Sequence, residues 1–420
     1  MNNIDYLLAS RHTKLFPLIA TLVMTEFNTA TLISFSSLGY LASYWALAMP
    51  FIFLFGLLFY TVTVAKKWKE FNGISVAQFF AVRYGRRLEL IVAVVLFLAM
   101  LGFSSVYVKS LALLFLPLFK LNPWGLSAIL VITILFLTIR GGLRSIITLD
   151  MFSFAFVIIF FPLLVYHSYR LPTHAILPDL NLLQMQKLLP LKFVISLIIL
   201  TMFSYIIAPW YGQKIVSANS PKTAYFAALI AAIVIFILYG LGILACIILR
   251  SKGVSLDNRE LGLPYLIYNA LPSSLQKISY IILFFIAAST LTGVWNAMVT
   301  LLVGSILKTK SQKVSTSKVC MLICAVAAYI IANTFIDNIL NKMILFNIPI
   351  VAFSFALLAG FYWKGASLTG AYLSIIVGIM WGCFCYFHFN ENGLYTWYWA
   401  IYGVPLIFMT GFLGSSLESV

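Results

Sequence analysis

The reading of this chain turns on Thr25-Glu26-Phe27-Asn28-Thr29-Ala30-Thr31-Leu32-Ile33-Ser34. The stretch interrupts an otherwise apolar segment running from Leu15 to Tyr40. About 20 apolar residues cross the hydrocarbon of a bilayer. This segment is long enough, yet it carries a carboxylate, an amide and several hydroxyls at mid-depth. A charged side chain there costs about 2.5–3.5 kcal/mol on insertion scales. Such a group is tolerated when it faces a partner, a cavity or a solute. Two readings follow: a polar patch that knits helices together, or a helix that loosens here to hold an ion or solute.

Working outward, the 420 residues are 63% hydrophobic and 9% charged. A soluble domain needs more charge to cover its surface. A barrel would show short alternating strands instead of long apolar runs. The composition therefore predicts an all-α integral membrane protein. About twelve spans are expected, near 15–40, 44–65, 88–117, 124–139, 144–168, 189–209, 223–249, 278–307, 319–340, 343–363, 366–388 and 395–414.

The net charge of +16 points to the positive-inside rule and away from nucleic acid, because Lys and Arg gather in the connections. They concentrate at Lys66, Lys67, Lys69, Arg83, Arg86 and Arg87, at Lys214 and Lys222, and again at Lys308, Lys310, Lys313 and Lys318. Both termini are accordingly expected in the cytoplasm. Met1 to Arg11 is polar and carries no apolar core, so no cleavable signal peptide is expected.

Catalytic and metal chemistry find little footing. Cys246, Cys320, Cys324, Cys383 and Cys385 fall in apolar segments and read as small hydrophobes. His12, His167, His174 and His388 are scattered, and no HExxH motif or paired-carboxylate constellation appears. No enzyme activity, no cofactor and no metal centre built on Cys or His are expected. Glu26, Lys109 and Asp150 are the ionisable groups well inside the expected spans. Asp150 comes early in its helix, where the dipole and nearby Arg favour an acid, or it lies on a cation path. Lys109 stands near a span end, where it can snorkel or meet solute. A second polar cluster, Ala287-Ala288-Ser289-Thr290-Leu291-Thr292, lies in the eighth span. Adjacent hydroxyls on a helix are about 100° apart, and small hard cations want several oxygens, including carbonyls freed from helical bonding.

The order of these pieces carries a resemblance. Asp5-Tyr6-Leu7-Leu8-Ala9-Ser10-Arg11 resembles the D-Y-x-x-A-x-R lead-in of the sodium:solute symporter family, and Thr25–Leu32 resembles its S-E-F-S-A-A-T-F first core helix. Gly141-Gly142-Leu143-Arg144-Ser145-Ile146-Ile147-Thr148-Leu149-Asp150 is similar to G-G-L-x-A-V-x-W-T-D. Gln213-Lys214-Ile215-Val216-Ser217-Ala218-Asn219-Ser220 resembles Q-R-x-x-A-A-K-S, and Ala288-Ser289-Thr290 resembles M-S-T. Gly360–Ala371 echoes G-x-x-W-K-x-x-x-x-G-A-x-x-G in shortened form.

The resemblance implies a leucine-transporter-type fold. Two inverted five-helix repeats would occupy 15–168 and 189–363, after a cytoplasmic lead-in at 1–14. An extracellular loop would lie at 169–188, and two peripheral helices with a tail at 364–420. Discontinuous first and sixth core helices would hold the ligands at mid-membrane. By position, sodium would be held by carbonyls of Met24, Phe27 and Ile286 with hydroxyls of Ser289 and Thr290. Asp150 matches a family acid associated with sodium handling. Solute would lie among Glu26, Asn28, Thr31, Tyr107, Lys109, Ser204 and Tyr205. The implied activity is sodium-coupled import of a small organic solute across the bacterial inner membrane by alternating access. The partners are Na+, the solute and the lipid bilayer, with no nucleic acid and no obligate protein partner. The alternatives are proton coupling or a coupling-deficient solute sensor.

Three departures stand out. The family begins with an extra helix before the lead-in, and this chain starts at the motif. T-D-x-x-Q reads Leu149-Asp150-Met151-Phe152-Ser153, and S-T-x-x-S reads Ser289-Thr290-Leu291-Thr292-Gly293. Both lose oxygen donors that a second sodium beside Asp150 would use, whereas backbone carbonyls of the main site do not depend on side-chain identity.

Overall fold

The computed structural model describes residues 11–73, 75–119, 121–138, 142–174, 178–307, 314–391 and 393–418. Residues 5–10 of the lead-in, with Arg140, Gly141, Lys308, Lys310 and Lys313, lie outside the described residues. The described chain is helical throughout. Its sole strand-like pairing is a bridge between Thr13 and Ala218, through Thr13 N–H to the Ser217 carbonyl and Asn219 N–H to the Thr13 carbonyl, both 2.9 Å.

Eight described helices are long and apolar enough to cross a membrane, or ten if each of two bent pairs forms one span. Two further apolar helices, Phe51–Thr63 and Pro123–Phe136, are shorter. The protein is a multi-pass membrane protein. The stretches 66–87, 169–188 and 250–277, taken as connections, carry the short helices Ala65–Glu70, Ala77–Tyr84, Leu182–Leu188 and Gly262–Asn269.

The first span is broken. Helix α1 (Leu15–Glu26) and helix α2 (Thr29–Ala42) meet at Phe27 and Asn28. The α1 axis is bent 59° from that of residues 29–48. Neither Gly nor Pro causes the break. Phe27 leaves the helical region at ψ 66°, and Asn28 restarts the chain as an N-cap at φ −97° and ψ 159°. Its Oδ1 accepts the Thr31 N–H at 2.8 Å, and its Nδ2 donates to the Glu26 carbonyl at 2.9 Å. A helix start leaves N–H groups without intrahelical partners, and a short polar side chain is what satisfies them.

Helix α3 (Phe51–Thr63) follows, then α4 (Ala65–Glu70), α5 (Ala77–Tyr84), α6 (Arg86–Phe115), α7 (Pro123–Thr138) and α8 (Gly142–Tyr169). The second half opens with α9 (Leu182–Leu188), α10 (Leu191–Tyr205) and α11 (Pro209–Val216). A second interruption, at 206–208, separates α10 from α11. Pro209 has no N–H to donate and stands at the first position of α11, where none is needed. The freed Ile206 carbonyl accepts the Trp68 indole N–H of α4 at 2.8 Å. Helices α12 (Pro221–Ser251), α13 (Gly262–Asn269), α14 (Ser273–Leu301), α15 (Val314–Thr334), α16 (Ile339–Ala352) and α17 (Ser354–Tyr362) complete this half. Helices α18 (Leu368–Phe389), α19 (Tyr395–Tyr398) and α20 (Val404–Glu418) close the chain, with α18 against α20 and α16.

Small residues let the helices around the first break approach. Helix α12 packs on α1, α2, α3 and α8, and buries Ala224, Ala227, Ala228, Ala231 and Ala232 at helical spacing. A Cβ at Gly39 of α2 would stand 2.6 Å from the Ile243 carbonyl oxygen of α12, so only glycine permits that distance. Without a strong hydrophobic drive between helices in lipid, close backbone approach of this kind supplies the association. On the outer helix α18, Cys383 is exposed and Cys385 buried, as a separation of two on a helix requires.

Asn28→Ala removes the cap and the tie back to Glu26. It is expected to lower unfolding stability in detergent by about 1–2 kcal/mol, with Asn28→Asp keeping most of the cap. Thermal denaturation of the two variants side by side checks this.

Candidate functional site

The carbonyls opened at the first break are where the site begins. Thr290 on α14 has its hydroxyl 3.1 Å from the Met24 carbonyl and 3.1 Å from the Ile286 carbonyl. Adjacent Ser289 points to α8 instead and donates to Asp150 Oδ1. Helix α14 packs against both α1 and α8, and the 100° step between neighbouring residues sends one hydroxyl to each. The structure thus brings Met24, Ile286 and Thr290 together. Phe27 occupies the break itself, with its ring edge-on to Phe161 at 5.0 Å and tilted on Tyr239 at 5.0 Å.

Glu26 ends α1 and is 2% exposed. Its carboxylate accepts the Tyr205 hydroxyl and the Trp210 indole N–H, the latter at 3.1 Å, so α10 and α11 both hold it. The Glu26 backbone carbonyl accepts the Tyr239 hydroxyl of α12 as well as the Asn28 amide. Every donor to the Glu26 carboxylate is neutral.

Asp150 is fully buried and stands among three elements besides its own. Its Oδ2 accepts the Thr21 hydroxyl of α1 and, at 3.0 Å, the Lys214 ammonium of α11. Lys214 Nζ also donates to the Thr21 carbonyl at 3.2 Å. Lys214 is 1% exposed. This corrects the sequence reading, which counted Lys214 among the cations of a connection. Sequence reasoning also missed Thr21, Trp210 and Tyr239. No local sequence signal marks Lys214, whose eight-residue helix is buried along its whole length in the structure.

The expected solute residues separate. Glu26 and Tyr205 meet at the break. Asn28 is committed to capping, and the Ser204 hydroxyl donates to the Thr201 carbonyl of its own helix at 3.3 Å. Tyr107 is buried, with its ring 6.5 Å from that of Phe103, which lies 5.2 Å from Trp210. Lys109 is half-buried and within electrostatic reach of Glu260, in the connection between α12 and α13. Thr31 lines a cavity of about 70 Å³ with Phe35, Ile52, Phe53, Leu197, Thr201, Leu340, Met343, Ile344 and Asn347, between α2, α3, α10 and α16. Its walls are mostly apolar. Among the described residues no group of three His, Cys, Asp or Glu side chains could hold a metal ion.

Several solved structures share this architecture. One is a Na+-coupled sialic acid symporter in a substrate-bound outward-open state, with a TM-score of 0.81 at 15% identity over 99% of this chain and 92% of that one. A manganese transporter from Eremococcus coleocola aligns with a TM-score of 0.57 at 14% identity, covering 96% and 95% of the two chains. Mhp1 in its inward-facing conformation aligns with 0.57 at 12% identity, covering 96% and 90%. No family model matches the sequence, and no curated protein does. The chain therefore has the leucine-transporter-type fold of these membrane transporters.

Burial pushes the Glu260 carboxyl above its ordinary value, opposed by the Ile339 N–H, Arg259 and Lys109. An acid raised on folding contributes stability that is full below its unfolded pKa and lost as pH rises through the folded value. Melting temperature should therefore carry a component that falls as pH rises above the ordinary glutamate value, and Glu260→Gln should remove it. Parallel pH series of melts on wild type and variant check this.

Proposed function

We propose that this chain is a sodium-coupled secondary transporter that imports a small organic solute by alternating access. The observation that carries the reading is the convergence of the Met24 carbonyl, the Ile286 carbonyl and the Thr290 hydroxyl beside an interrupted helix. Small cations are held in membranes by such freed carbonyls and hydroxyls. Three oxygens meet at this point while Ser289 turns to Asp150, so the remaining ligands of a sodium ion would come from other carbonyls of the break or from water.

Coupling then has a physical form. Sodium held between α1 and α14 fixes the loosened segment at 24–28, which lowers the ordering cost for a solute that touches Glu26 or the cavity beyond it. The effect is reciprocal, and each ligand shifts the conformational balance only by its differential affinity for the two states. Glu26, Tyr205 and Thr31 are the groups placed to meet the solute, with the aromatic and aliphatic walls around Phe35 and Phe53 taking an apolar portion of it. The positive-inside pattern supports both termini in the cytoplasm and a plasma membrane location. The halves 15–168 and 189–363 would rock as inverted repeats, because each opens with an interrupted span.

The test is thermal unfolding of the purified protein in sodium against choline at matched ionic strength. A ligand at 100 times its dissociation constant stabilises by about 2.7 kcal/mol. Wild type should melt higher in sodium, Thr290→Val should lose that rise, and Thr290→Ser should keep it. A rise that persists undiminished in Thr290→Val sinks the assignment, and a rise that follows pH instead of sodium favours proton coupling.

A further inference from the structure

Besides the group at Thr290, the interior holds an ion pair that the coupling scheme leaves unused. Five carboxylate or ammonium side chains are buried among the described residues: Glu26, Glu89, Asp150, Lys214 and Glu260. Glu89 pairs with Arg86 at 2.5 Å at the start of α6, and Glu260 lies in a connection. Asp150 and Lys214 face each other at 3.0 Å in the middle of the bundle, 0% and 2% exposed at their side chains.

The surroundings of the ammonium are those of a hard-cation site. Nζ has a carboxylate oxygen at 3.0 Å and a backbone carbonyl, that of Thr21, at 3.2 Å. The Thr21 and Ser289 hydroxyls close on the same carboxylate. Carboxylate, carbonyl and hydroxyl oxygens are the ligand types that small inorganic cations take. These oxygens come from α1, α8 and α14, and the cation comes from α11. Gly293 on α14 borders it, and a Cβ there would make ordinary van der Waals contact, 3.8 Å from Cε and 3.9 Å from Nζ.

We propose that the Lys214 ammonium is a tethered cation occupying the place of a second coupling ion beside Asp150. A buried carboxylate must be neutralised by some cation. A sodium ion arriving from solution would bring a dependence on sodium concentration with it, by mass action. An ammonium fixed to the chain brings none. Asp150 therefore contributes no second ion to the cycle, and the protein binds a single sodium, at Met24 and Thr290. This last clause rests on the sodium reading given above. The tethered cation itself does not.

Replacing the ammonium by a neutral side chain of similar length should expose the oxygen set. Lys214→Met leaves Asp150, both hydroxyls and the Thr21 carbonyl facing a vacated position. The experiment is 22Na+ binding per chain on the full-length protein purified in detergent, together with melting in sodium against choline. Wild type, Lys214→Met, Lys214→Gln and the double variant Lys214→Met/Asp150→Asn are compared. The neutral variants should bind about one sodium ion more than wild type and gain a larger sodium-specific rise in melting temperature. The double variant should return to the wild-type count, because the carboxylate is gone. A neutral variant that folds in sodium and not in choline also supports the proposal.

Equal sodium counts in wild type and a folded Lys214→Met overturn it, as does a wild type that already binds two. Neutral variants that stay unfolded even in high sodium overturn it too, since sodium at Asp150 would restore the missing charge. If wild type binds no sodium and Lys214→Met binds one, the tethered cation stands and the sodium-symport reading falls.

Discussion

The structure depends on a single constraint: a backbone opened in an apolar interior must find hydrogen-bond partners there. An unpaired buried carbonyl or N–H in hydrocarbon costs several kcal/mol, so α1 can stop at Glu26 only because other elements satisfy what it exposes. Thr290 reaches the Met24 carbonyl, and Tyr239 and Asn28 take that of Glu26. The second interruption follows the same rule, with the Trp68 indole N–H on the Ile206 carbonyl. The partners come from α12, α14 and α4, so each break is fixed by helices far away in sequence. Irregular backbone at this depth is tolerated where protein encloses it, and that enclosure is also what concentrates oxygens at one point.

Charge placement follows from the breaks. Glu26 sits at the end of α1 and draws its donors from α10 and α11, Tyr205 before the interruption at 206–208 and Trp210 after it. Its donors are neutral, so the carboxylate keeps an acceptor's appetite for a cation or a donor-rich solute. Asp150 is the opposite case. Lys214 already matches its charge, and the two hydroxyls on it complete its hydrogen bonding. Two buried carboxylates close to one bundle axis thus do different work because of what faces them. The apolar cavity beside Thr31, about 70 Å³, is far smaller than the roughly 300 Å³ at the low end of small-molecule sites. A molecule of ordinary size would fit there only with α2, α3, α10 and α16 further apart.

Much of this was legible in the chain. Long apolar runs with little charge point to a helical membrane protein, since the other structure that satisfies its backbone in lipid, a closed barrel, would show short alternating strands. Glu26 at mid-span marked the first break, because an expensive charge there needs a structural reason, and Asn28 two residues on is the residue type that restarts a helix. Ser289 and Thr290 stood out as adjacent hydroxyls in an apolar span, and they do line the interior, on α14 between α1 and α8. Lys109 and Lys214 show the limit. Each is a lysine near the end of an apolar stretch, and nothing in the local pattern distinguishes them. One lies within reach of Glu260 in a connection, and the other is buried on Asp150.

What the sequence determined by itself was therefore the solvent, the helices and the positions where polar atoms interrupt apolar ones, because each depends on residues close together in the chain. What only the tertiary structure decided was partnership. Whether Ser289 faces Asp150 or an ion, whether Asn28 meets solute or caps its own helix, and whether Lys214 is solvated or bound to Asp150 depend on which distant helix lies opposite. Asp150 and Lys214 are separated by 64 residues and their contact by 3.0 Å. That contact is set by the packing of α8, α11 and α1, where small residues and satisfied carbonyls fix the distances, and no local periodicity encodes it.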